Sequence, residues 1–357
     1  MKTDFPRSQQ IPVVDDNHDS SPAEHAWKRI VHTFQQPSAS RSAWQITNSV
    51  GGYLLLWGIM YVTSAISYWL TVPLAILAGG FLVRIFIIFH DCTHNSFFRS
   101  RKANEVCGFI TGVLCFTPYN HWKWEHTIHH AHAGDLDSRG FGDVWTLTVE
   151  EYLRASRLTK LRYRLTRNPV FLFLIVPLVL FFVVNRIPSP KAGVKARRSV
   201  HYTNLAIAAL AAMLIWIFAW RAYLVIQMTA VFVAAGTGVW LFYIQHQFEG
   251  VTWERKEDWN FAHAALQGSS YYRLPRILQW FSGNIGFHHI HHLSPHIPNY
   301  NLEDCHKADP LFQRVPPITL ATSLKSLNFH LWDEKSRKLV GFSHLKHMRR
   351  EQQPVAA

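Results

Sequence analysis

An uncharged stretch from residue 46 to 68, ITNSVGGYLLLWGIMYVTSAISY, limits the fold of this chain more than any other feature. It is long enough to cross a bilayer, since a spanning helix needs about 20 residues at roughly 1.5 Å each. Residues 72–89 form a second such block, which carries one charge, Arg84, and ends directly at His90. Blocks 203–220 and 223–244 are split only by Arg221 and Ala222, which predicts a helical hairpin with a very tight turn at those residues. Trp44, Tyr68, Trp69, Trp220 and Tyr243 fall near the block ends, where interfacial aromatics gather. A mean hydropathy of −0.01 conceals this segregation.

Two shorter blocks read differently. Block 170–185 has a proline at its middle, and eleven Lys or Arg but no Asp or Glu lie between 152 and 201, on both of its sides. Positive flanks stay in the cytosol, so this block is predicted to be re-entrant or interfacial, and 109–118 likewise. The expected fold is an all-α integral membrane protein with four transmembrane helices and a cytosolic cap. Six spans result if both short blocks cross. Either even number puts residues 90–201 and 245–357 on the side of the N-terminus.

The net charge of +13 fits either nucleic acid or an anionic membrane surface; the apolar blocks select the membrane and exclude nucleic acid. The basic stretch 152–201 is assigned to anionic lipid, each cation contributing roughly 1 kcal/mol near the surface, with an acidic electron carrier as the alternative. Gly51–Gly52 and Gly79–Gly80 are read as close helix contacts. Residues 1–43 contain no apolar core of a signal peptide and read as a flexible cytosolic arm. Cys92, Cys107, Cys115 and Cys305 have neither zinc-ribbon nor paired-disulfide spacing, which fits reduced thiols.

The chain has 22 histidines, and three clusters stand apart. His90 and His94 are spaced i, i+4 at the end of the second block; His126, His129 and His130, and then His288, His291 and His292, are spaced i, i+3, i+4. Each spacing puts the imidazoles on one helix face. Eight converging nitrogens exceed what one ion takes, roughly four to six, so two metals are the economical reading. Taking hydrogen from an unactivated methylene needs an oxidant that side chains cannot supply, whereas iron with dioxygen can, and imidazole suits iron. Histidines merely sitting at a polar interface would not produce three such clusters on one face. A zinc or nickel transporter would need polar ligands inside the spans, which are nearly bare of them.

The segments RIFIIFHDCTHNSFF, HTIHHAHAGDLDSRGFGDVWTLTVEEY and GNIGFHHIHHLSPHIPNYNL resemble the three histidine boxes of membrane fatty acid desaturases, in particular the bacterial acyl-lipid branch. The resemblance runs from about residue 45 to 310. It implies a desaturase domain at 44–310, followed by a basic cytosolic segment at 311–357. It also implies an oxygen-dependent enzyme that inserts a cis double bond into the acyl chain of a membrane lipid. Two iron ions and dioxygen would serve it, with zinc able to replace iron in recombinant protein. The implied ligands are His90, His94, His126, His129, His130, His288, His291 and His292, and His246 matches the ninth histidine that follows the last span in this superfamily. Three residues rather than four separate His90 from His94, and Phe242 stands where stearoyl-CoA desaturases carry asparagine; both differences weigh against an acyl-CoA substrate. No haem motif or iron–sulfur cysteine pattern is present, so electrons are expected from a separate ferredoxin, flavodoxin or cytochrome. The localisation implied is the bacterial inner membrane with a cytosolic active site. A hydroxylase or ketolase of the same superfamily, acting on a lipid such as a carotenoid, is the enzyme alternative; a metal transporter or lipid sensor is the other.

Among the remaining residues, His289 reads as a spacer, and His121, His132, His263 and His296 as supporting or surface histidines. His18 and His347 read as surface residues. Asp91, Glu125, Asp135, Asp143 and Glu249 are candidates to accept the second N–H of a ligating imidazole. Arg84 either snorkels towards headgroups or acts near the site.

Overall fold

The computed structural model describes residues 22–140, 142–345 and 348, which are mostly helical; His18, His347 and residues 1–21 of the 1–43 arm lie outside them. Four helical segments are long and apolar enough to cross a membrane: Ala39–Ile66, Tyr68–Thr93, Val194–Phe218 and Trp220–His246. Their number is the one expected, but their limits differ. Ser38 caps the first, its hydroxyl accepting from the Arg41 N–H, so the helix starts before the apolar block does. Ser67, expected inside that block, is extended and caps the second helix through the Trp69 N–H. The second helix then continues through His90 to Thr93, with His94 as its helical cap.

The turn expected at Arg221–Ala222 is instead at Ala219, with φ 60° and ψ 152°. Arg221 and Ala222 are already helical. A backbone conformation that glycine usually occupies is strained for alanine, and it reverses the chain in one residue.

The first, second and fourth helices pack together, burying Met60, Ala75, Ala78, Leu82, Ile226 and Ala230. A Cβ on Gly79 would stand 2.7 Å from Val233 Cβ, so only glycine lets the second and fourth helices approach this closely. Gly52 plays the same part against the Phe81 ring, whereas Gly51 meets nothing within 4 Å. The third helix is largely outward-facing, exposing Leu205 and Trp216.

The ambiguous block 170–185 forms a π-helical turn, Phe171–Ile175, then the helix Val176–Phe182 and a 3-10 turn. Pro177 enters at the start of the α-helical part, where its missing N–H is tolerated. The whole segment Phe171–Arg186 meets Arg157–Thr166 at a bend of 69°, the geometry of a broken span or re-entrant loop. Block 109–118 belongs largely to the helix Arg101–Leu114, whose 14 residues are too few to cross, so six spans do not form among the described residues.

The cap is built, among the described residues, from shorter helices and five brief strands. β1 (Leu147–Thr148) runs parallel to β4 (Leu331–Asp333), which pairs antiparallel with β5 (Lys338–Val340); β2 (Tyr271–Tyr272) runs parallel to β3 (Pro317–Ile318). Trp332 on β4 is buried with Leu136, Phe248 and Trp253, and Leu339 on β5 joins them, so these two strands pack into the cap. Arg84 stays buried in the second helix. Its guanidinium donates to the Trp280 carbonyl and lies 3.9 Å over the Trp280 ring, pinning the helix Arg276–Phe281 rather than reaching for solvent.

Candidate metal centre

Box two lies on the helix Tyr119–His132, which turns His126, His129 and His130 inward. Box three lies on the short helix His288–Leu293, with all its histidines buried. The second helix brings His90 and His94 from below, and the fourth ends on His246. Nine imidazoles therefore meet in two groups. His90, His94, His126, His130 and His291 form one; His129, His246, His288 and His292 form the other. Within each group the donor atoms lie within 4.8 Å of one another.

The spacing suits metal ions. Nε2 atoms pair at 3.1 Å between His126 and His130 and 3.0 Å between His130 and His291. In the second group the pairs are His129–His246 at 3.1 Å and His246–His288 at 3.0 Å. A metal–nitrogen bond of about 2.1 Å places adjacent octahedral ligands about 3.0 Å apart. Nε2 of His94 and of His292 are buried with no hydrogen-bond partner, an arrangement that costs free energy unless something accepts the lone pair. Burial, and secondarily the neighbouring imidazoles, hold His94, His126, His130, His288, His291 and His292 well below the usual histidine range. They are neutral at pH 7 and present lone pairs without a proton to expel.

Two of the five candidate carboxylates reach the cluster. Asp143 Oδ1 is 2.6 Å from His129 Nδ1, and Asp91 Oδ1 is 3.2 Å from His90 Nδ1. The loop bearing Asp143 presses onto the box-two helix at Gly142, whose φ of 65° suits glycine and where a Cβ would come 3.3 Å from His129 Cβ. Arg139 braces that loop against Glu151, which also completes a capping box with Thr148. The other three carboxylates are engaged elsewhere: Glu125 faces His121 at 3.7 Å, Asp135 accepts from the Asp137 N–H, and Glu249 pairs with Lys325. Burial pushes the Glu125 carboxyl up to about 6.

The other histidines stand outside both groups. His289 turns away, its Nε2 3.1 Å from His306 Nδ1. His121 accepts from the Ser189 N–H, His132 bonds the Ile128 carbonyl, His263 lies 3.6 Å from Glu254, and His296 bonds the His94 carbonyl. Sequence reading missed Asn299, which donates twice to Asp91, and the Gly268 carbonyl, 3.3 Å from His246 Nδ1. It also missed Trp122, stacked on His126 at 4.1 Å. Neither a backbone carbonyl nor a lone asparagine announces such a role in sequence.

A cavity of about 460 Å³ adjoins the cluster, with His90, His126 and His288 in its wall. Away from them the lining is mainly apolar, including Leu82, Phe86, Leu180, Val231 and Ala235. It runs between the fourth helix and the bent segment Phe171–Arg186. A mainly apolar slot of this size beside a metal-ready cluster suits a flexible hydrocarbon.

A family profile described as fatty acid desaturase matches residues 67–318. A fatty acid desaturase of Bacillus subtilis (strain 168) is 48% identical over 318 residues, covering 89% of this chain and 90% of the relative. An sn-1 oleoyl-lipid 12-desaturase of Synechocystis is 28% identical, covering 71% of this chain and 70% of its own length. An sn-1 acyl-lipid omega-3 desaturase (ferredoxin) from the same organism is 26% identical, covering 84% and 81%.

Proposed function

From the premise that this chain belongs to the fatty acid desaturase family, we propose that it inserts a cis double bond into the acyl chain of a membrane lipid. The observation that carries this reading is the contact between the two histidine groups and the apolar cavity, since His90, His126 and His288 form part of its wall. The nine histidines, His90, His94, His126, His129, His130, His246, His288, His291 and His292, would hold two iron ions. Bound iron supplies, with dioxygen, the oxidising power to remove two hydrogens from adjacent methylenes. Two external electrons and two protons balance the reaction, and both oxygen atoms leave as water.

The chain's own part is binding and orientation. Leu82, Val231 and Ala235 exclude water and hold an acyl chain against the histidine wall, so that position rather than reactivity selects the carbons. Asp143 and the Gly268 carbonyl accept from Nδ1 of His129 and His246, leaving each Nε2 free to ligate. The acyl-lipid names of the Synechocystis relatives support a lipid-borne substrate, and the ferredoxin in one of them supports a separate one-electron carrier. The positive-inside rule, applied to the basic stretch 152–201, supports a cytosolic histidine face in a bacterial inner membrane.

Expression in a host that makes only saturated and monounsaturated lipids tests the reading, with mass spectrometry to locate new double bonds. New acyl double bonds that vanish in His291→Ala are expected. A gain of oxygen without loss of two hydrogens would point to hydroxylation instead and overturn it.

A further inference from the structure

We propose that Asn299 is a positioning residue, orienting His90 through Asp91; the role rests on the reading of His90 as an iron ligand. Asp91 follows His90 on the second helix and turns Oδ1 towards His90 Nδ1. Its other oxygen, Oδ2, accepts two hydrogen bonds from Asn299, one from the backbone N–H and one from Nδ2, each 2.7 Å long. Asn299 is itself held by Gln45. Its Nδ2 donates to Gln45 Oε1 at 3.2 Å, and its Oδ1 accepts from Gln45 Nε2 at 3.1 Å.

These four residues come from three places in the chain: the first apolar helix, the second, and the loop after box three. None is more than 4% exposed. Water cannot replace a lost partner at that depth, and an unpaired buried polar atom is costly. The carboxylate therefore has one favourable orientation, with Oδ2 towards Asn299 and Oδ1 towards the imidazole. An imidazole whose Nδ1–H is fixed in this way presents its Nε2 lone pair in a set direction.

The loop carrying Asn299 touches box one a second time, where His296 Nδ1 stands 3.1 Å from the His94 carbonyl. It is clasped to the first helix by Arg41 donating to Asn301 Oδ1 at 2.8 Å and by the Ser42 and Tyr300 hydroxyls 3.1 Å apart. His90 and His94 of box one and His291 of box three share the group of five. Asn299 thus fixes the relation between two boxes that supply the same group.

Cobalt titration of the full-length protein, purified in detergent and stripped of metal, tests this, because Co²⁺ absorption bands report ligand geometry. Wild type is expected to take two ions. Asn299→Asp sets a second carboxylate against Asp91 Oδ2 at almost unchanged volume. It is expected to weaken one of the two ions about 10- to 100-fold and alter its bands, leaving the other as in wild type. Asn299→Ala, which keeps the backbone N–H, should weaken the same ion by about tenfold, and adding it to Asp91→Asn should cost nothing further. Ser42→Ala loosens the clasp without touching Asp91 and should leave both affinities unchanged. Thermal unfolding of the metal-free proteins confirms that each variant is folded. If Asn299→Asp does not fold, Asn299→Ala decides the matter. Wild-type affinity and bands in whichever Asn299 variant folds would overturn the proposal, as would an equal loss in Ser42→Ala. A wild-type protein that takes fewer than two ions would overturn the ligand reading itself.

Discussion

His129 Nε2 and His246 Nε2 stand 3.1 Å apart although 117 positions separate them in the chain. One sits on the box-two helix of the cap and the other is the last residue of the fourth apolar helix, so the pair joins cap to membrane-crossing bundle. His246→Ala removes one of the four donors in the smaller group. Desaturation is expected to fall to background, and iron from about two to about one per chain, while the protein still inserts. Metal analysis checks this; unchanged iron would take His246 out of the ligand set.

Asp143 should act on the metal through His129. Their contact is 2.6 Å and both side chains are buried. Asp143→Asn keeps the shape but weakens the acceptor, and should reduce metal affinity at the group of four by about 10- to 100-fold. Glu249→Gln is the comparison. Its carboxylate is exposed and paired with Lys325, and metal titration should show wild-type affinity.

Blocking the cavity should lower activity while leaving metal binding unchanged. Ala235 is buried on the fourth helix and lines the slot but belongs to neither histidine group. Ala235→Phe should lower turnover by at least about tenfold, equivalent to about 1.4 kcal/mol, with iron content unchanged. Product analysis beside metal analysis separates the two. Full activity in this variant would mean that the acyl chain lies elsewhere.

His330 gives the cap a pH dependence. Burial, and then the charges of Arg167 and Arg164, lower its imidazole to about 4. The unfolded chain takes up this proton near pH 6.5, so it binds more protons than the folded one between about pH 6.5 and 4. Stability from this site is complete above pH 6.5 and declines as pH falls through that window. His330→Phe, which keeps the stack on Phe342, should show a smaller drop in thermal midpoint between pH 7 and pH 5. Parallel curves for the two proteins would exclude the mechanism.

The apolar blocks and the three box spacings were legible because each is a local pattern: helix length in one case, the i, i+3, i+4 face in the other. The sorting of histidines was not. His129 and His130 are adjacent in sequence yet belong to different groups, because neighbours on a helix point about 100° apart. Ala219 was missed as the turn because nothing in its side chain marks a positive φ; the charge on Arg221 drew the boundary two residues late. Asp91 and Asp143 could not be told from Glu125, Asp135 and Glu249, since the distinction depends on how loops fold back over the cap. Asn299 lay inside a segment already singled out, but its partners Gln45 and Asp91 are far away in the chain.

Gly79 and Gly51 separate a glycine that packing demands from one that it does not. Both occur in Gly-Gly pairs within apolar helices, and sequence treats them alike. At Gly79 an added Cβ would lie 2.7 Å from Val233 Cβ and 2.9 Å from the Ala230 carbonyl, which is backbone and cannot swing aside. At Gly51 it would meet nothing within 4 Å. Gly79→Ala should therefore force the second and fourth helices apart, at a cost of about 1–3 kcal/mol from overpacking. Because these helices carry His90 and His246, the displacement should also reach the histidine groups and lower iron content along with thermal stability. Gly51→Ala should leave both unchanged or raise stability slightly, since alanine is the better helix former by about 1 kcal/mol. Thermal unfolding and iron content of the two purified variants give the comparison. Equal behaviour would show that the contact at Gly79 relaxes freely and that the two helices are not rigidly coupled to the histidine groups.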